Sequence, residues 1–243
     1  MSRKTHNPTA ERLRELEESG DRLTEWASEH AALILGVIAT VLVIAGGVGL
    51  WVQHGANARD EAADALAMAT GQYRQAMGAD PVGGPVPEPA NPELAERTRS
   101  EYIDRFVTVA REHEGTTAGA LAWLEAGNLQ VELGRLEAAA ESFARVRDDA
   151  PDSAISAMGS VRLAALAENR GDPATAAEAF EQAAGVPEYP LRAGALIDAT
   201  RCWVEAGNTS RALAAFQRLE NEFPDENVPP PVQALVAELR LRE

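Results

Sequence analysis

The amino-acid sequence predicts an all-α protein in which a single N-terminal transmembrane helix is followed by an α-solenoid of paired helices. Two observations carry this prediction: an uncharged apolar stretch near the N-terminus, and a pattern of glycine, alanine, phenylalanine and proline that recurs three times further along the 243-residue chain. Abundant alanine, the best helix former, and an aromatic content of only 5% favour closely packed helices.

Residues 31–52 form the predicted transmembrane helix. No charged side chain occurs from Ala31 to Val52, and as a helix this stretch would cover about 33 Å, enough for a hydrocarbon core of roughly 30 Å. Trp26 and Trp51 lie near its two ends, where indole rings favour the membrane–water interface. The apolar run exceeds the roughly 7–15 residues usual in a cleaved signal peptide, so we expect an uncleaved anchor.

The distribution of cations predicts how the anchor is oriented. Five cationic side chains precede the span, whereas Arg59 is the one cation within about 20 residues after it. Because Lys and Arg are retained on the cytoplasmic side, residues 1–30 should form a cytoplasmic tail. The rest of the chain should then lie in the periplasm of a Gram-negative bacterium, tethered to the inner membrane. Ala45 and Gly49, four residues apart within the span, would allow helix pairing and leave a homo-oligomer open.

Composition and motifs exclude several classes of function. A net charge of −16 gives an acidic surface that repels phosphate backbones, so nucleic-acid binding is not expected. Cys202 is the single cysteine, which rules out an internal disulfide and a zinc site built from several cysteines. The sequence contains no HExxH, GxSxG or phosphate-binding loop. We therefore predict no enzyme activity, no catalytic or metal site, no cofactor and no small-molecule substrate.

Three repeat units are predicted between residues 118 and 228. Their phenylalanines are 37 and 36 residues apart, and the other recurring residues keep nearly the same spacing. Such self-similarity is typical of helical-repeat arrays. The pattern consists of Trp123, Gly127, Gly134, Ala139, Phe143 and Pro151 in the first unit, Gly171, Ala176, Phe180 and Pro187 in the second, and Gly207, Ala212, Phe216 and Pro224 in the third.

Each recurring residue has a physical task in a helix pair. The glycine accepts positive φ where the first helix of the pair, helix A, ends. The small alanine early in helix B lets the two helices approach, and the phenylalanine one turn later fills the space between units. The proline closes helix B because it cannot continue the hydrogen-bond ladder.

The segments flanking the three units are predicted to be helical as well. Residues 53–117 form a degenerate first pair, with helices at 57–77 and 93–112 separated by a Pro-rich loop at 81–92. We interpret this loop as a flexible spacer, with partner binding as the alternative. Residues 229–243 form a C-terminal capping helix that covers the end of the array. Its apolar stripe consists of Val232, Leu235, Val236 and Leu239.

The repeat pattern resembles the tetratricopeptide repeat (TPR), although the period exceeds the usual 34 residues by two or three. This resemblance implies that helix A of each unit lines a concave groove that binds a segment of a protein partner; internal packing of part of this surface is the alternative. The groove lacks the converging basic side chains of carboxylate-clamp TPR proteins. The TPR register places there Leu121, Leu124, Asn128, Val131, Met158, Val161, Ile197, Arg201 and Val204, together with Glu132, Ala165, Glu168, Asn169 and Glu205.

The layout of the whole chain resembles the YfgM-type ancillary proteins of the Sec translocon. A cytoplasmic tail, one anchor, a degenerate helix pair and three long-period repeats carry this resemblance. It implies a periplasmic scaffold in protein export, with the SecYEG translocon and periplasmic chaperones as partners. Two alternatives stay open: a TPR coordinator of envelope assembly or cell division that is unrelated to export, and a cryptic enzyme or sensor domain.

Overall fold

A computed structural model describes residues 57–80 and 83–242 of the chain. The predicted cytoplasmic tail at 1–30 and the predicted transmembrane helix at 31–52 lie outside these residues. Within the described ranges, no helix combines the length and apolar character needed to cross a membrane.

The described residues fold as nine consecutive helices, so the predicted all-α class is confirmed for this part of the chain. From α2 to α8, each helix packs against the next, and α9 packs against α7 and α8. The helices are α1 (57–76), α2 (Pro92–Glu112), α3 (Thr117–Glu132), α4 (Leu136–Asp149), α5 (Ser153–Asn169), α6 (Pro173–Ala184), α7 (Arg192–Glu205), α8 (Thr209–Glu222) and α9 (Pro230–Arg242).

Glycines end the first helix of each pair in the three repeat units. Gly134, Gly171 and Gly207 have φ values of 68°, 73° and 72°, which side chains with a Cβ rarely adopt. The residue after each glycine donates its N–H to a carbonyl five residues earlier, as in Asp172 to Ala167 at 2.9 Å. This geometry satisfies carbonyls that the helix end leaves unpaired and turns the chain towards the next helix.

The residues at the repeat positions form the contacts between paired helices. Ala139, Ala176 and Ala212 are fully buried, and the three repeat phenylalanines are buried one turn further along α4, α6 and α8. The ring of Phe143 lies where a Cβ on Gly127 would be, so this glycine allows α3 and α4 to approach closely. Pro151, Pro187 and Pro224 follow the ends of α4, α6 and α8 by two or three residues.

The degenerate first pair has an aromatic core of its own. The Tyr73 ring of α1 lies 5.4 Å from the Tyr102 ring and 6.4 Å from the Phe106 ring of α2, measured between centroids. Leu129 of α3 belongs to the same cluster, so the pair packs directly on the first repeat unit.

The boundary between the Pro-rich loop and α2 differs from the prediction by one residue. Helix α2 begins at Pro92, which was assigned to the loop, because Asn91 caps the helix and accepts N–H bonds from Glu93 and Leu94. Proline is favoured at the first helical position, because an N–H at this position would have no hydrogen-bond partner within the helix.

At the other end of the array, Val232, Val236 and Leu239 of α9 are buried, and Leu235 is half-buried.

Candidate functional site

A cavity of about 420 Å³ opens between α1, α3, α5 and the Pro-rich loop. We call it the groove. Its walls include Leu129, Val131 and Ala165, and two side-chain amides, Asn128 and Asn169, face the same space. Apolar walls with a few hydrogen-bonding groups are typical of surfaces that bind peptide segments.

The predicted groove residues divide between this cavity, a second one and the core. Asn128 and Val131 line the groove, as do Glu132, Ala165 and Asn169 from the same register. Leu121 instead lines a neighbouring cavity of about 560 Å³ between α1 and α3, with Leu66 and Ala118. The cavity thus shares five positions with the predicted surface, all in the C-terminal turns of α3 and α5, and their role in partner binding stays a prediction.

Leu124 was predicted as a groove residue, and the structure contradicts this. Its side chain is only 4% exposed and packs in a core cluster with Ala139, Phe143 and Leu166. The reason is geometric: Leu124 lies three residues before Gly127, on the side of α3 that faces the Phe143 ring, so it fills the α3–α4 interface.

Four other predicted aliphatic residues do not line the groove. Met158, Val161, Ile197 and Val204 are half-buried, and each packs against a core cluster. Val161 contacts two such clusters, which join α5 to the helices that follow it. The second and third units therefore use these positions largely for internal packing, the alternative that the sequence left open.

Arg201 links two repeat units through an ion pair. Its guanidinium group forms ion pairs with Glu168 of α5 at 2.6 Å and with Asp198 at 3.5 Å. The hydrogen bond to Glu168 raises the pKa of Arg201 further, and burial raises the pKa of Asp198. Because its charge is already matched by carboxylates, Arg201 acts as a link between α5 and α7.

The repeat register missed seven residues that line the groove: Tyr73, Val86, Glu125, Leu129, Phe143, Arg162 and Leu166. Burial raises the pKa of Glu125, while a hydrogen bond from Asn128 and the charge of Arg162 lower it. Glu125 and Arg162 lie three residues before Asn128 and Ala165, so helical spacing from these two positions would have found them. No sequence signal places Val86, which comes from the Pro-rich loop.

The described part of the Pro-rich loop is held against the helices. Arg74 of α1 donates to the backbone carbonyls of Asp80, Gly83 and Gly84 over 2.6–3.1 Å. Arg99 of α2 binds the Glu88 carboxylate and also donates to Glu132 of α3 at 2.6 Å. The loop therefore docks on the degenerate first pair through two guanidinium groups, which a free spacer would not do.

The polar side chains of the described residues form neither a metal-binding cluster nor an unpaired buried group. These residues contain no cluster of three or more His, Cys, Asp or Glu side chains suited to a metal ion. Nor does this part of the chain bury a side-chain nitrogen or oxygen without a hydrogen-bond partner. The polar atoms around the groove are thus either paired within the fold or open to solvent.

Comparison with known proteins agrees with the repeat architecture. A search of curated proteins finds no match for this chain. The family model described as a tetratricopeptide repeat-like domain matches residues 24–218 of the 243. Domains of this kind are generally non-catalytic and typically bind other proteins. With the paired helices and the recurring glycine, alanine and phenylalanine contacts described above, this match shows that the chain belongs to the tetratricopeptide repeat-like domain family.

Proposed function

We propose that this protein is a membrane-tethered periplasmic scaffold that binds other proteins during protein export, with the SecYEG translocon and periplasmic chaperones as its partners. The single observation that best supports protein binding is the groove between α1, α3 and α5. The uncharged stretch at 31–52 and the excess of cations before it support the tether and its orientation. The layout of the chain, which resembles YfgM-type proteins, supports the link to export.

The chemistry of the groove suits a short protein segment. A cavity of 420 Å³ accommodates only a few residues, so a partner would insert part of an extended chain or one face of a helix. Asn128 and Asn169 each offer an N–H donor and a carbonyl acceptor, which match the backbone groups of a peptide. Leu129, Val131 and Ala165 provide apolar contact. Such contact contributes to affinity without imposing one orientation on the partner, because the hydrophobic effect is non-directional.

Replacing Ala165 with tryptophan should block the groove while leaving the fold intact. Ala165 is exposed on α5, and an indole ring there would occupy the space meant for the partner. We expect recovery of translocon subunits and chaperones in crosslinking pull-downs of the full chain to fall at least about tenfold, the change that corresponds to about 1.4 kcal/mol. Quantitative mass spectrometry of the captured proteins measures this.

Ala214→Trp is the matched control, because Ala214 is also an exposed alanine in a helix, on α8 and outside the groove. Circular dichroism should show equal helicity in both variants. Equal recovery of partners by the two variants would rule out the groove as the binding site. Capture of outer-membrane assembly factors or cell-wall enzymes in place of export proteins would instead favour the envelope-coordination alternative.

The proposed orientation predicts the behaviour of a reporter fused after Glu243. A reporter that is active only outside the cytoplasm should be active in this fusion, because the cations before residue 31 are retained inside. A second fusion at the same position, to a reporter active only in the cytoplasm, should be silent. Cytoplasmic activity would overturn the periplasmic placement without affecting the groove.

A further inference from the structure

The described part of the Pro-rich loop, residues 83–91, has a sequence that keeps it extended. Pro85, Pro87 and Pro89 alternate with Val86 and Glu88. Each proline fixes its own φ and also restricts the preceding residue to extended conformations, so every residue from 84 to 89 is constrained. Such a segment loses little conformational entropy when it docks, which favours its bound state.

The alternation leaves two side chains between the prolines, Val86 and Glu88. Val86 is 37% exposed and lines the groove, as do Tyr73, Asn128 and Val131. Glu88 is bound by the guanidinium group of Arg99, with one nitrogen on each carboxylate oxygen.

Arg99 is a preformed carboxylate site at the edge of the groove. Its side chain is only 13% exposed, and its Nε donates to Glu132, which fixes the orientation of the guanidinium plane. A fixed guanidinium fork recognises a carboxylate through two parallel hydrogen bonds, with more geometric specificity than a lysine would give. Because the Glu88 side chain is 66% exposed, a carboxylate from another chain has access to the same place.

Upstream of these contacts, Arg74 holds the backbone of the loop. It donates to three carbonyl oxygens, those of Asp80, Gly83 and Gly84. These bonds involve no side chain of the loop, so they position the segment without selecting its sequence. Selection at the groove therefore comes from Val86 and Glu88.

We propose that residues 83–91 are an internal occupant of the groove, and that the partner segment accepted there is an extended one with an aliphatic residue followed two positions later by a carboxylate. Such a segment takes the places of Val86 and Glu88. The identity of the partner rests on the proposed function, whereas the internal occupancy does not. Because the occupant is tethered, it competes at an effective concentration in the millimolar range, so only a well-matched segment displaces it.

Thiol labelling of the full chain tests the internal occupancy. Cys202 is fully buried, and burial raises its pKa to about 12, so it should not react with the labelling reagent. The labelling rate then belongs to a cysteine introduced elsewhere. With Val131→Cys as reporter in the groove, Glu88→Ala should raise the labelling rate about tenfold, because the segment loses a charge-assisted hydrogen-bond pair. Glu226→Ala, which removes an exposed loop glutamate far along the chain, should leave the rate unchanged.

Asn128→Cys provides a second reporter in case Val131→Cys perturbs the packing of α3. An increase with Glu88→Ala at either reporter, absent with Glu226→Ala, supports the occupancy. Labelling rates that do not respond to Glu88→Ala at either position would overturn it. No export partner takes part in this measurement, so its failure is distinguishable from failure of the Ala165→Trp experiment.

A peptide with the sequence of residues 83–91 tests the partner chemistry. Fluorescence anisotropy should show saturable binding to a full chain in which these residues are replaced by Gly and Ser, and about tenfold weaker binding to the native chain, where the site is occupied. Peptides carrying Val86→Ser or Glu88→Gln should bind about tenfold more weakly than the native peptide. Equal binding of all three peptides, or no saturable binding to the replaced chain, would overturn the proposed partner chemistry.

Discussion

Replacing Phe143 with alanine should destabilise the helical array by about 3–5 kcal/mol. Phe143 is 1% exposed and lies in a cluster with Leu124, Val146 and Leu166, so its ring joins α3, α4 and α5. Removing the ring leaves a cavity that the surrounding helices fill only in part, because Gly127 has no side chain to move into it. Urea unfolding of the full chain, followed by circular dichroism, measures the loss.

Leu94→Ala is the control for this prediction. It also removes a large apolar side chain from a helix, but Leu94 is 51% exposed and should cost less than about 1 kcal/mol. A loss of under about 1 kcal/mol for Phe143→Ala, similar to that of the control, would show that the repeat phenylalanine is not the packing centre of the first unit.

A second large effect is expected from Gly159→Ala, which should destabilise the protein by about 1–3 kcal/mol. Gly159 lies on α5 where this helix meets the backbone of α4. A Cβ at this position would lie 2.6 Å from the Arg147 nitrogen and 2.9 Å from the Phe143 carbonyl oxygen. These are backbone atoms, so relief requires the two helices to move apart and weakens the contact between neighbouring repeat units.

Replacing Gly194 with alanine should change the stability of the protein in the opposite direction. Gly194 is exposed on α7, and a Cβ there meets no atom within 4 Å, so Gly194→Ala should stabilise by up to about 1 kcal/mol through helix propensity. The measurement is the thermal midpoint of each variant against the native chain. Midpoints that rise in both variants would contradict the close approach of α4 and α5.

Local signals in the sequence predict the helix pairs well. Gly134, Gly171 and Gly207 mark helix ends because positive φ is a property of a single residue and needs no knowledge of the fold. The spacing of phenylalanines likewise reports packing between neighbours in the chain, which dominates in a repeat array. These features account for the order and limits of most helices.

The groove is predicted less completely because it depends on contacts between distant segments. Leu124 was assigned to the surface by its place in the repeat register, but the ring of Phe143 opposite it turns that side of α3 into core. Arg201 was assigned to partner binding, but its charge is matched by Glu168 from a helix more than 30 residues earlier. The register alone does not show which side chains find partners within the fold.

The Pro-rich loop shows the same limit. Pro85, Pro87 and Pro89 lie outside the helices, as predicted, whereas Pro92 begins α2, and the composition alone indicated a spacer. Where the loop lies is decided by Arg74 and Arg99, which belong to α1 and α2 and stand outside the repeat pattern. The absence of a basic clamp was inferred from the residues of helix A alone, whereas the carboxylate site described above comes from Arg99 on the second helix of the degenerate pair.

Photocrosslinking in intact cells tests the central claim, that the groove holds segments of export partners, most directly. A photoreactive amino acid is placed at Ala165 in the groove of the full chain, and in a parallel strain at Ala214 on α8. We expect crosslinks from position 165 to SecYEG subunits, periplasmic chaperones or proteins in export, and none of these from position 214. Crosslinks to the same proteins from both positions, or none from position 165, would contradict it.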